Sequence, residues 1–125
     1  MLVVPSLGIR SGSYPGLWTA LLLGESNTGS RDVSIQVTRV EPGGEQALHR
    51  HPQAQGYYVV EGRGVASVDG EEREVSAGEA VFIPGGSLHG IRNVSKASLV
   101  YVTANQAFGT EQERLTWPDS PSANG

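Results

Sequence analysis

Short runs of β-branched, aromatic and aliphatic residues, each closed by a glycine- or proline-bearing turn, recur from Val33 to Thr103. Strand-like runs at intervals of about 8–12 residues with turn signals between them specify an all-β sandwich or barrel. Val33, Ile35 and Val37 alternate with Ser34, Gln36 and Thr38 before Pro42-Gly43-Gly44, the period-two pattern of a strand with one buried face. Tyr57–Val60 and Val65–Val68 follow, divided by Gly62-Arg63-Gly64. Asp69-Gly70 is a two-residue hairpin signal and predicts Glu72–Val75 as the return strand. Ala77-Gly78 turns into Ala80–Ile83, and Leu99–Thr103 is the last strand expected. Leu17–Leu23 reads as a further buried strand. It is far shorter than the roughly 20 apolar residues of a membrane span, and Gly24-Glu25-Ser26-Asn27 is not a signal-peptide cleavage site. Only Thr110–Leu115 has a helical pattern, and it is too short to stand alone.

A chain of 125 residues can bury one self-sufficient core. Residues 1–117 are expected to form that single domain, with its motif core at 33–103, and 118–125 a flexible tail. The absence of cysteine excludes a disulfide framework, a thiolate zinc site, an iron–sulfur cluster and a cysteine nucleophile. A net charge of −4, from 13 acids and 9 bases, offers no basic field to nucleic acid. No Gly-x-Ser-x-Gly elbow, P-loop or dinucleotide fingerprint is present. With no membrane or targeting segment expected, the reading is a cytoplasmic protein acting on a small molecule.

All three histidines fall within the strand-rich stretch. His49-Arg50-His51 sets two imidazoles on one face of an extended chain, about 6.5–7 Å apart along the backbone. Two rings that converge so can share one metal ion at about 2.0–2.1 Å each. His89 comes after Pro84-Gly85-Gly86, where a strand folding back would supply a third. On spacing alone, a shared metal and an exposed pair beside a turn are equally good readings.

The surrounding residues carry a resemblance. Gly43, His49-Arg50-His51, Gln55 and Gly62 fall at the spacing of the first motif of the cupin superfamily, and Gly78, Pro84-Gly85-Gly86, His89 and Asn93 at that of the second. The chain therefore resembles small cupins, whose fold is an antiparallel double-stranded β-helix, a jelly-roll barrel holding a divalent metal. The resemblance implies His49, His51 and His89 as metal ligands and a homodimeric assembly. Leu17–Leu23 would then cover a sheet edge in its own or a partner subunit. Where the family pattern has a glutamate as fourth ligand, this chain has Gln55.

That substitution matters electrostatically. Three neutral imidazoles and an amide oxygen leave the full +2 of a dication, so the site should favour anionic or chelating oxygen ligands. Gln55 is either that fourth ligand or polar lining; it shares strand parity with the histidines, as Gln53 does. An imidazole and oxygen set suits Mn, Fe, Co, Ni, Cu or Zn without distinguishing them. Tyr57 and Val59 should face inward with Gln55, and Tyr57 is a catalytic candidate as a hydrogen-bond donor. Ile91 should follow His89 inward, while Trp18, Phe82 and Tyr101 are expected in the core or at the cavity rim. Arg39 is the other catalytic candidate: continued alternation would point it inward to meet a substrate carboxylate, with a rim salt bridge to Glu41 or Glu61 as the alternative. Arg50 and Arg92 should point away from the metal.

Two functions lead, beside a storage or structural protein with an incidental metal. One is a metal-dependent enzyme on a small oxygen-bearing substrate: a dioxygenase, isomerase or lyase. Cupins with three histidines and a glutamine, which the His49 to Gln55 run resembles, include uronate-processing proteins and hydroxynitrile lyases. The other is a metabolite- or sugar-binding cupin module without turnover.

Overall fold

The computed structural model of the chain describes residues 1–6 and 15–118. The expected tail thus lies, from residue 119 onward, outside the described residues. The elements run β1 (Leu17–Leu23), α1 (Glu25–Thr28), β2 (Ser34–Val40), β3 (Glu45–His49), β4 (Gln55–Glu61) and β5 (Arg63–Val68). They continue with β6 (Glu71–Ser76), β7 (Ala80–Ile83), β8 (His89–Arg92), β9 (Leu99–Asn105) and α2 (Thr110–Thr116). Two antiparallel sheets result, ordered β1-β2-β9-β4-β7 and β3-β8-β5-β6. This is the all-β jelly-roll expected. Val40, Val59, Ile83, Ile91 and Leu99 are almost fully buried and form the core between the sheets. No helix among the described residues is long and apolar enough to cross a membrane.

Local chemistry explains the connections. Asp69 and Gly70 both take positive φ, at 49° and 85°, as the tight turn between β5 and β6 requires. Asn93 is buried, and its amide donates to the carbonyls of Val40 and Ala97 while accepting from Ser95. It closes the turn after β8 without leaving a buried polar group unpaired.

β2 presents the opposite face from the one its apolar residues suggest. Ser34, Gln36 and Thr38 are buried, and Ile35 and Val37 lie half-buried on the outer face. There Val37 pairs with Ala20 of β1 and Val102 of β9. The reason is that this end of the barrel encloses a cavity, not an apolar core, and Gln36 and Thr38 line it. Arg39 therefore points outward. It is exposed, with its guanidinium 5.6 Å from the centroid of the Trp18 ring, so the expected inward contact with a substrate carboxylate is corrected. Phe82, expected in the core or rim, is 72% exposed.

The two short helices hold each other in place. Glu113 of α2 is 1% exposed, and its carboxylate accepts the Glu25 and Ser26 backbone N–H groups, each at 2.9 Å, and the Ser26 hydroxyl at 2.6 Å. Glu25 of α1 in return accepts the Thr110 N–H at 2.9 Å and the Arg31 Nε at 2.6 Å. Each acid satisfies the open N–H groups at the start of the other helix, which neither short helix could satisfy alone. A Cβ on Gly24 would lie 2.6 Å from Glu113 Oε2, so only glycine permits this approach.

Arg31, with the hydrogen bonds from Thr110, lowers the Glu25 carboxyl from 4.5 to about 2. Its ionised form therefore stabilises the fold fully above about pH 4.5 and ceases to do so as pH falls through about 2. The melting temperature of Glu25→Gln should lie below that of the wild type near neutrality, and the gap should close as the solution is acidified towards pH 2. A gap that stays constant with pH would rule the linkage out.

Candidate metal centre

β3 and β8 bring the histidines together. Their register advances from Gln46 opposite Ile91 to His49 opposite His89, so β3 carries one extra residue, a bulge that re-aims His49. Gly90 allows this, since a Cβ there would lie 2.6 Å from the Gln46 carbonyl oxygen. Leu48 is pushed out to 57% exposure. The three ligand-capable nitrogens of His49, His51 and His89 lie within 4.8 Å of one another. Ring centroids are 4.3 Å apart for His49 and His89, 4.9 Å for His51 and His89, and 5.5 Å for His49 and His51.

The hydrogen bonds fix which nitrogens face the centre. His49 Nδ1 lies 2.8 Å from the Ala47 carbonyl oxygen, and His89 Nδ1 2.8 Å from that of Ser87. A carbonyl can only accept, so each Nδ1 carries the proton and each Nε2 presents a lone pair. His51 has neither ring nitrogen hydrogen-bonded, although both are buried. Gln55, 6% exposed, sets its Oε1 3.2 Å from His89 Nε2. Its Nε2 donates towards Asn105 Oδ1 at 3.4 Å. Two acceptors thus face each other at Gln55 and His89, an arrangement that a shared cation relieves.

Burial lowers the pKa of His51, aided by the neighbouring His49, and burial likewise lowers that of His89. Both are held as neutral imidazole, the form that ligates a metal. The cluster therefore fits a metal ion in number, protonation and donor type.

His49 and His51 open onto a cavity of about 480 Å³, with His89 buried behind them. Polar residues (Thr19, Gln36, Thr38 and Thr103) and aromatic ones (Tyr57, Tyr101, Phe108 and Trp117) both line it. No carboxylate is among its lining residues. Arg50 is exposed at the cavity border and is the permanently charged residue among the described lining residues. Tyr57 lines the cavity as expected, its ring centroid 6.5 Å from that of His89. Burial raises its pKa well above 10, so it remains a neutral phenol. Val59 and Ile91 belong to the apolar core behind the site. Phe108 and Trp117 were not predicted from the strand pattern, because they follow the last strand and no periodicity marks them.

A family model described as Cupin domain matches residues 36–105, more than half of the chain. Over 114 residues the chain is 28% identical to the dimethylsulfoniopropionate lyase DddW of Ruegeria pomeroyi, covering 90% of this chain and 75% of that protein. Its fold is similar to that of a predicted oxalate decarboxylase from Thermotoga maritima, with a TM-score of 0.73 and 24% identity, covering 86% of this chain and 100% of that one. It is also similar to a recombinant oxalate oxidase in complex with glycolate, with a TM-score of 0.66 and 27% identity, covering 78% of this chain and 55% of that one.

Proposed function

The chain belongs to the cupin family, and from that premise we propose that it is a metal-dependent enzyme acting on a small organic anion that chelates through two oxygens. Residues 1–117 are taken as one cupin domain. The carrying observation is the set of three convergent imidazoles beside the Gln55 amide, in a cavity with no carboxylate. His49, His51, His89 and Gln55 would hold one divalent transition metal. When bound, such an ion supplies Lewis-acid polarisation or a redox centre for a coordinated oxygen. The substrate class agrees with a structural relative solved in complex with glycolate, and the DddW relative acts, by its name, on a carboxylate-bearing zwitterion.

The chain's own residues have separable roles in this reading. The Ala47 and Ser87 carbonyls lock two imidazoles in one tautomer and orientation, which removes their rotational freedom before ligand arrives. Tyr57, neutral and buried, is the donor for a bound substrate oxygen. Arg50 at the cavity border attracts the anion. Gln55 leaves the ion's charge uncompensated, so the substrate anion meets it in full. A homodimer belongs to the same proposal, supported by Tyr58, Val60 and Phe82, which stay exposed on the outer face of the five-stranded sheet.

Elemental analysis of the purified protein, followed by calorimetric titration with glycolate, tests this. Near-stoichiometric metal and metal-dependent glycolate binding are expected. Gln55→Glu should weaken glycolate about tenfold, since it adds a negative charge beside the ion. Unchanged affinity would sink the charge argument, and metal-free protein that takes up no ion would sink the metal centre.

A further inference from the structure

We propose that Phe108 and Trp117 make the pocket selective for oxygen chelators bearing a flat apolar group, such as aryl-substituted 2-hydroxy acids, over both the bare chelating head and polyols. The inference rests on the metal-centre reading above and goes beyond it by assigning the substrate's body.

Size comes first. A cavity of about 480 Å³ is far more than a two-carbon acid fills, and lies in the range of about 300–1,000 Å³ that holds much larger ligands. The threonine-rich part of its wall is already internally hydrogen-bonded. Thr19 and Thr38 share a hydrogen bond at 3.0 Å, and the Trp117 indole N–H donates to Thr19 Oγ1 at 3.2 Å. Tyr101 bonds to Thr38, and the Gln36 amide donates to Ser34. A polyol entering here would face groups bonded to one another, and would gain little for the water it gives up.

Aromatic surface remains. Phe108 is half-buried and meets the His51 ring edge-on, with centroids 5.2 Å apart at 79°. Behind it stands Trp117, 5.9 Å from Phe108 with the rings tilted by 33°. A ligand held at the histidines therefore extends past Phe108 as soon as it grows beyond its chelating head. Flat apolar groups gain most there, through area burial and ring stacking. Gln53, another lining residue, has its Oε1 buried without a hydrogen-bond partner. Phe108 and Trp117 lie beyond residue 105, where the family match ends.

Glycolate and mandelate, which is glycolate with a phenyl group on its carbinol carbon, isolate the effect. Both are titrated calorimetrically into the full chain loaded with Mn²⁺. Mandelate should bind about tenfold more tightly than glycolate. Phe108→Ala should cut that preference to about twofold while metal content stays at the wild-type level, and Phe108→Leu, which keeps most of the packing, should fall between. Equal affinities for the two acids in the wild type would overturn the inference and leave the metal centre standing. A preference that survives unchanged in both variants would also overturn it. Failure of both acids to bind the loaded protein would overturn the chelating-anion reading and the inference together.

Discussion

Replacing His51 with alanine is expected to empty the metal centre while leaving the barrel folded. Neither ring nitrogen of His51 anchors a backbone carbonyl at close range, and its ring meets Phe108 only edge-on. His49 and His89 differ: each also anchors a backbone carbonyl through Nδ1, and their loss would mix two effects. Removing a hydrogen bond behind a ligand already costs about 10–100-fold in metal affinity, so removing a ligand should cost at least the upper end of that range. Elemental analysis of purified His51→Ala should find less than about a tenth of the wild-type metal, with an unchanged far-ultraviolet circular dichroism spectrum. Wild-type metal content in this variant would mean that the ion, if any, sits elsewhere.

Gly85→Ala should strike both the fold and the site. A Cβ at Gly85 would run into the Pro52 carbonyl oxygen, and the next residue, Gly86, donates its N–H to the His51 carbonyl at 2.8 Å. The turn after β7 is thus pressed against the segment that carries His51. Gly85 does not need positive φ, so the cost is steric alone. Overpacking of this kind costs about 1–3 kcal/mol, or a melting temperature lower by roughly 4–12 °C for a domain of this size. Relief requires Pro52 to move, which should also weaken metal binding by displacing His51. Gly56→Ala is the matched control in a neighbouring strand, because a Cβ there meets nothing within 4 Å. Equal melting temperatures and metal affinities for the two variants would refute the steric argument.

The histidine cluster was legible because its spacing is local: a two-residue step, a glutamine of the same parity and one later histidine after a glycine turn. β1 appears as predicted at Leu17–Leu23, and the Asp69-Gly70 turn joins the strands it was expected to join. Periodicity does not state which face of a strand looks inward when the interior is polar. Ser34, Gln36 and Thr38 alternate as regularly as Val33, Ile35 and Val37, and the choice was decided by a cavity that no single strand encodes. The Arg39 expectation failed with it. α2 was visible as a helical pattern too short to persist, but not the partner that lets it persist. Its capping acid sits at Glu25, 85 residues before Thr110.

The ligand set also has an order in time. β3 and β8 belong to one sheet and β4 to the other, with β4 to β7 lying in the chain between His51 and His89. His49, His51 and Gln55 lie within seven residues, but His89 joins them only when β8 pairs with β3 across the intervening strands, so the complete set forms late. Interactions made that late slow unfolding and leave the folding rate unchanged. A bound ion would act here as a latch on the finished protein, setting how long the barrel lasts and not how quickly it is made.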